Sequence, residues 1–292
     1  MSDKPSRDTI DSSAQIGIFD SGLGGLSILR EIASLMPRER LFYFADNLHI
    51  PYGPRPLDEV RRYATSIAGR LIQLPAKMIV VACNTASAAA LKHLRKVYPD
   101  TPFVGMEPAV KPAAAGSRTK RVGVLATQAT FQGELFESVV ERFAGDVEIV
   151  RQPCPGLAEF IENHQPDHPV LGSLLDRFVT PLVEKGVDTI VLACTHYPLV
   201  KDAIRKIAGP DVTIVDPSPA IARRTEQVLR EAGLLAEEGE GGARFYVSGE
   251  AECFSKSASM LLGRDVVAEH SSFSWVPVNK RDQAAVWNQD SP

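Results

Sequence analysis

The sequence predicts an α/β protein of two similar lobes with mainly parallel sheets and a site in the cleft between them. Three observations carry that reading. Short apolar runs alternate with helix-length periodic segments, the pattern of parallel sheets. The pattern starts again midway, the interval from Ile16 to Cys83 nearly matching that from Val122 to Cys194. Local words match too: Val81-Ala82-Cys83-Asn84-Thr85 against Leu192-Ala193-Cys194-Thr195-His196. The competing explanation is chance, since all α/β chains reuse strand–turn–helix words.

The elements follow in order. Ile16–Phe19 is a strand ended by Asp20-Ser21-Gly22. Leu26, Leu29, Ile32, Ala33 and Met36 then recur at helical spacing, and Pro37 marks the stop. Leu41–Ala45 is a strand, Pro51-Tyr52-Gly53-Pro54 a rigid loop, and Leu57–Leu74 a helix. Met78–Ala82 reads as a buried strand with Cys83 at its end, and Asn84 and Thr85 as caps for an alanine-rich helix. Phe103–Met106 is a further strand.

In the second half, Val122–Leu125 is a strand ended by Ala126-Thr127, and Val147–Val150 is another. Pro169–Lys185 is helical, and Thr189–Ala193 is a strand with Cys194 at its end. Val212–Val215 precedes Asp216-Pro217. The polar run Glu237–Gly242 reads as a hinge or loop. Arg244–Ser248 is a late strand and Cys253–Leu262 a helix. From Ser271 onward no period is clear, and Trp275 and Trp287 would dock that tail on the body or on a second subunit. The expected division is 14–107 plus 217–270 for lobe one and 108–216 for lobe two, with tails 1–13 and 271–292.

The chain has 292 residues, 44% hydrophobic and 23% charged, so it can bury a large core without disulfides or structural metal. A formal charge of −4 gives no pull toward nucleic acid or anionic membrane. No apolar run is long enough to span a bilayer, and the polar N-terminus lacks a signal-peptide core, so a cytoplasmic location is expected.

Sites in parallel α/β sheets form beyond the carboxyl ends of strands, where both Ala-Cys words lie. A thiol just before a helix N-terminus has its pKa lowered, which favours the thiolate. Cys154 and Cys253 read instead as buried structural cysteines. There is no CxxC, no HExxH and no zinc-type spacing of His and Cys, so no metal is expected. Cys194 and His196 could form a Cys/His pair, which spacing alone leaves open. Gly22-Leu23-Gly24-Gly25-Leu26-Ser27 misses the last glycine of a dinucleotide fingerprint, and no P-loop exists. Its glycines still allow close approach of backbone to a small anion. Asp20 before them reads as a turn former, or as a partner for an ammonium group or a thiol.

Five motifs in order resemble the glutamate racemases of the aspartate/glutamate racemase family: Asp20-Ser-Gly-Leu-Gly-Gly25, Pro51-Tyr-Gly53, Ala82-Cys-Asn-Thr-Ala-Ser87, Gly105-Met-Glu-Pro-Ala109 and Ala193-Cys-Thr-His-Tyr-Pro198. The resemblance covers about residues 16–270. It implies an isomerase that interconverts L-glutamate and D-glutamate for peptidoglycan, without a cofactor. Two thiols act from opposite faces of the α-carbon, Cys83 on the D-isomer and Cys194 on the L-isomer. By the same resemblance Asp20 assists Cys83, while His196 and Glu162 assist Cys194. Asp20, Ser21, Tyr52, Gly53, Asn84, Thr85, Thr127, Thr195 and His196 bind or surround glutamate. Glu162 rests on the word Glu159-Phe-Ile-Glu162 and otherwise reads as an exposed helix carboxylate.

Two-sided chemistry suits two matched residues, since one base would have to cross the substrate plane. Preorganised donors around the substrate carboxylate would stabilise the developing carbanion. Within enzymes, the alternative is a racemase for aspartate or another amino acid. Outside them, it is a non-catalytic binding protein on the same fold. Some family members are associated with binding DNA gyrase, a further partner to test. A homodimer is expected, and no membrane partner.

Overall fold

The computed structural model describes residues 11–271. The expectations for the two termini, including Trp275 and Trp287, lie outside them. The chain runs β1 (Gln15–Asp20), α1 (Leu26–Leu35), β2 (Arg40–Ala45), α2 (Leu57–Gln73), β3 (Ala76–Val81), α3 (Asn84–Val97), β4 (Phe103–Gly105) and α4 (Val110–Gly116). It continues through β5 (Arg121–Ala126), α5 (Gln128–Gln132), α6 (Glu134–Phe143), β6 (Glu148–Pro153), α7 (Leu157–Asn163), α8 (Leu171–Glu184) and β7 (Thr189–Ala193). A 3-10 turn at Tyr197–Val200 leads to α9 (Lys201–Ala208) and β8 (Thr213–Val215). Last come α10 (Ser218–Glu231), β9 (Gly242–Val247), α11 (Ala251–Leu262) and β10 (Ala268–His270).

These strands form two parallel sheets, ordered β10-β9-β2-β1-β3-β4 and β6-β5-β7-β8. Within the larger sheet, β2-β1-β3-β4 repeats the order of the smaller one. The lobes are therefore alike in topology, with two late strands added to the first. Registers match as well: Phe19 sits opposite Val81, and Ala126 opposite Ala193. This places Cys83 and Cys194 just beyond equivalent strands.

Both sheets are covered on both faces, which explains why their strands read as continuous apolar runs. In β3 and the two residues after it, Met78, Val80 and Ala82 pack on one face, while Ile79, Val81 and Cys83 pack on the other. In β7 and the residue after it, Ile190, Leu192 and Cys194 share a face opposite Val191 and Ala193. The period-2 alternation of strands thus aims each thiol as well as its core neighbours. The first lobe regains the chain through α10, which packs on α1.

One expectation is narrowed and one changes. Of hinge and loop, the Glu237–Gly242 run is a loop leading into β9, tied down where Arg38 donates to the Glu237 carbonyl and Glu39 accepts from the Ala236 N–H at 2.8 Å. Cys253 is exposed, since α11 buries Phe254 and Ala258 and turns Cys253 outward.

Asp188, just before β7, ties the α4–β5 loop to the smaller sheet. Its carboxylate accepts from Ser117 Oγ and Arg118 N–H at 2.6 Å each, and from Thr119 N–H at 2.9 Å. Burial works against the charge, but the Ser117, Thr119 and Arg118 hydrogen bonds outweigh it and hold this carboxyl at about 2. A depressed folded pKa means stability present above the unfolded value and lost as pH falls through the folded one. Asp188→Ala is expected to cost about 2 kcal/mol in urea unfolding at pH 7. The deficit should shrink as pH falls from about 4 toward 2.

Candidate active site

Both thiols line one cavity between the lobes, with Ser21, Tyr52, Gly53, Asn84, Thr85, Thr127, Thr195 and His196. Ile50, Pro51, Ala158 and Glu159 complete the wall. Asp20 and Glu162 lie behind it, where each reaches a lining residue. Gly105–Ala109 is not in the wall. There Met106 N–H bonds Ser87 Oγ at 2.9 Å, which seats the end of β4 on α3. A larger and more open depression at Arg38, Arg230 and Leu235–Gly239 contains none of these groups.

Cys83 is the N-cap of α3, in extended conformation, and its Sγ accepts from the Ala86 N–H at 3.4 Å. Asn84 and Thr85, expected as caps, are the first residues inside the helix. The expected lowering of the thiol pKa does not prevail. Burial pushes Cys83 well above its usual range, and the charge on Asp20 adds to that. The Ala86 N–H works the other way and is outweighed.

Asp20 is fully buried at the end of β1. Its Oδ2 accepts from Gly25 N–H at 2.8 Å and Gly22 N–H at 3.3 Å. Its Oδ1 accepts from Thr195 Oγ1, across the cleft, at 3.4 Å. Burial raises its pKa to about 6, partly offset by His196 and the Gly25 N–H.

Cys194 Sγ lies 3.8 Å from His196 Nδ1, because the chain turns after β7 and Tyr197 N–H returns to the Cys194 carbonyl. His196 Nε2 pairs with Glu162 Oε2 at 2.7 Å. Glu162 is not an exposed carboxylate, its side chain being 10% accessible. Burial works against charging His196, but the Cys194 and Glu162 hydrogen bonds outweigh it and hold the imidazole well above its usual pKa. A cationic imidazole there can face a thiolate on one side and a carboxylate on the other.

The glycine-rich loop acts through close approach between the lobes. A Cβ on Gly24 would lie 2.6 Å from Thr195 Oγ1 and 2.7 Å from His196 Nδ1. One on Gly22 would meet the Glu162 carboxylate. Elsewhere the lobes touch through the Thr85–Thr127 hydroxyl pair at 2.9 Å.

Tyr52 spends its hydroxyl within its own lobe, donating to Asp46 Oδ2 at 2.5 Å. Burial and then Asp46 raise the Tyr52 pKa well above its usual value. Asp46 also takes Ser248 Oγ at 2.7 Å and pairs with His49 Nδ1 at 2.8 Å, so it anchors the loop that walls the cavity. Sequence reasoning passed over Asp46. The available signal was its place at the end of β2, as Asp20 ends β1. Among the described residues, no group of three or more His, Cys, Asp or Glu is arranged to hold a metal ion.

Two like α/β lobes each present a buried thiol beyond a matching strand, at one cavity between them. A family profile described as Asp/Glu/Hydantoin racemase matches residues 16–225. A glutamate racemase of Roseiflexus sp. is 52% identical over 224 residues, covering 77% of this chain and 82% of its own. The crystal structure of glutamate racemase isoform RacE1 from Bacillus anthracis aligns with a TM-score of 0.84 at 32% identity, over 92% of this chain and 100% of that one. Glutamate racemase from Francisella tularensis, solved with D-glutamate, gives 0.80 at 29%, over 90% and 99%. The chain belongs to the Asp/Glu/Hydantoin racemase family.

Proposed function

We propose that this protein interconverts L-glutamate and D-glutamate without a cofactor, with Cys83 and Cys194 as its two acid–base groups. The observation that carries the reading is the pair of buried thiols beyond equivalent strands, lining one cavity, with the Asp20 charge acting on Cys83 and Glu162 linked to Cys194 through His196. In the L-to-D direction the Cys194 thiolate takes the α-proton and the Cys83 thiol delivers one to the opposite face. His196, backed by Glu162, stabilises the thiolate. In the reverse direction Asp20 takes the Cys83 proton, and its raised pKa makes it a fitting acceptor near neutral pH. Ser21, Thr85, Thr127, Thr195 and the wall formed by Tyr52 and Gly53 hold the substrate.

Asn84 supports this reading. It is buried in the cavity wall, yet neither its amide oxygen nor its nitrogen has a hydrogen-bond partner in the protein. A buried unpaired amide costs about 1–3 kcal/mol unless a ligand pairs with it. Asn84→Ala is expected to raise KM for glutamate by about tenfold to a hundredfold without lowering the melting temperature. A lowered melting temperature with unchanged KM would make Asn84 structural.

The lobes are proposed to divide at 107/108 and 216/217, and the protein to work as a cytoplasmic homodimer. Among the described residues no helix is long and apolar enough to cross a membrane. Sedimentation tests the dimer, and a supercoiling assay tests gyrase binding as a separate matter. The activity itself is tested on protein dialysed exhaustively against a chelator. Circular dichroism should decay toward zero from either pure isomer. No decay rejects the activity, and decay only after adding pyridoxal phosphate or a metal rejects the cofactor-free chemistry.

A further inference from the structure

Both carboxylates behind the cavity take a hydrogen bond from the opposite lobe. Thr195 donates to Asp20, and the Leu23 N–H donates to Glu162, 3.2 Å from Oε1 and 2.9 Å from Oε2. The second bond is the stronger constraint, because both oxygens face one N–H and Oε2 also meets His196 at 2.7 Å. Glu162 stands on the short helix α7, at the end of a side chain with three torsions. Left to itself, such a side chain loses rotamer freedom to hold His196 in place. The Leu23 N–H fixes the plane of the carboxylate from across the cleft. Gly22 permits this, since any Cβ there would run into that carboxylate.

Resting on the two-thiol reading above, we propose that the Gly22-Leu23 turn is a positioning element for the Cys194 half of the reaction. Closing on Glu162, it adds a bond from the first lobe to the Cys194–His196–Glu162 chain, whose three members all stand in the second. Gly25, in the same turn, serves the other half. A Cβ there would lie 2.7 Å from Asp20 Cβ and 2.7 Å from Tyr43 Oη, so it would disturb the Cys83 partner instead.

Racemisation rates do not separate the halves, because an equilibrium constant of unity ties the two directions together. Elimination does. When a thiolate takes the α-proton of β-chloroglutamate, the electron pair expels chloride, and no second thiol is needed. Gly22→Ala is expected to lose about a hundredfold in elimination from the L-isomer and to keep the D-isomer rate within a few-fold. Gly25→Ala should do the reverse. Equal losses with both isomers would overturn the proposal. Cys83→Ser and Cys194→Ser, run alongside, separate the two levels. If they show no opposite isomer preference, the two-thiol reading fails. If they do and the glycine variants do not, the positioning role alone fails. Should Gly22→Ala not fold, amide exchange in the wild type decides. Exchange at Leu23 should slow when the enzyme is saturated with D-glutamate, and unchanged exchange would overturn the proposal.

Discussion

Cys83→Ser and Cys194→Ser are each expected to lower racemisation by about a thousandfold or more, with the fold intact. A serine hydroxyl nearly matches the thiol in size but is a far poorer base. Either substitution leaves one face of the α-carbon without an acid–base group. Both directions must fall together, because the ratio of the two kcat/KM values is fixed by an equilibrium constant of unity. Initial rates by circular dichroism from each pure isomer check this. Near-wild-type racemisation by either variant would remove the corresponding thiol from the mechanism. Cys154, buried on the same face as Cys194 with its thiol pushed up to about 12 by burial, is expected to be dispensable for the chemistry.

Asp20→Asn is the second large effect, and it runs in opposite directions for activity and stability. The folded pKa of about 6 stands above the ordinary carboxyl value of 3.8. A raised carboxyl pKa means the folded protein binds this proton more tightly than the unfolded chain. The buried charge therefore costs stability above about pH 6, and the cost fades as pH falls toward 4. About two pKa units correspond to about 3 kcal/mol. Asparagine keeps the shape and the acceptor facing the Gly25 N–H but removes the charge. The variant should gain stability at pH 8, gain little at pH 4, and lose about a hundredfold in kcat/KM. The acidic limb of the wild-type kcat/KM profile should fall near 6 and be absent in the variant. A variant that is less stable at pH 8 with unchanged kcat would make Asp20 a structural cap.

Much of the lobes was legible because parallel strands covered on both faces leave unmistakable apolar runs. Ile16–Phe19, Met78–Ala82 and Thr189–Ala193 are of this kind. The repeat was legible because equivalent strands end in like words. The short helices were not. Val110–Gly116 carries Pro112, and Gln128–Gln132 is barely one turn, so neither shows a period. Glu162 was placed by its word alone. Its bonds to Leu23 and His196 join residues 139 and 34 positions away, which no local pattern encodes. Tyr52, expected to bind or surround glutamate, stands in the cavity wall, but the commitment of its hydroxyl to Asp46 is a tertiary fact. The cap at Cys83 was missed by one residue because β3 ends at Val81 and the helix begins at Asn84.

Two thiols on opposite faces can be tested in the unmodified enzyme with solvent deuterium. L-glutamate or D-glutamate is incubated in deuterium oxide and stopped after a few per cent of turnover, and the isomers are separated and weighed by mass spectrometry. Deuterium should appear in the product isomer and be nearly absent from recovered substrate. The thiol that delivers the proton has exchanged with solvent, whereas the thiol that removed one returns the same hydrogen. Deuterium entering substrate and product alike would mean a single base serving both faces, and would contradict the assignment of Cys83 and Cys194.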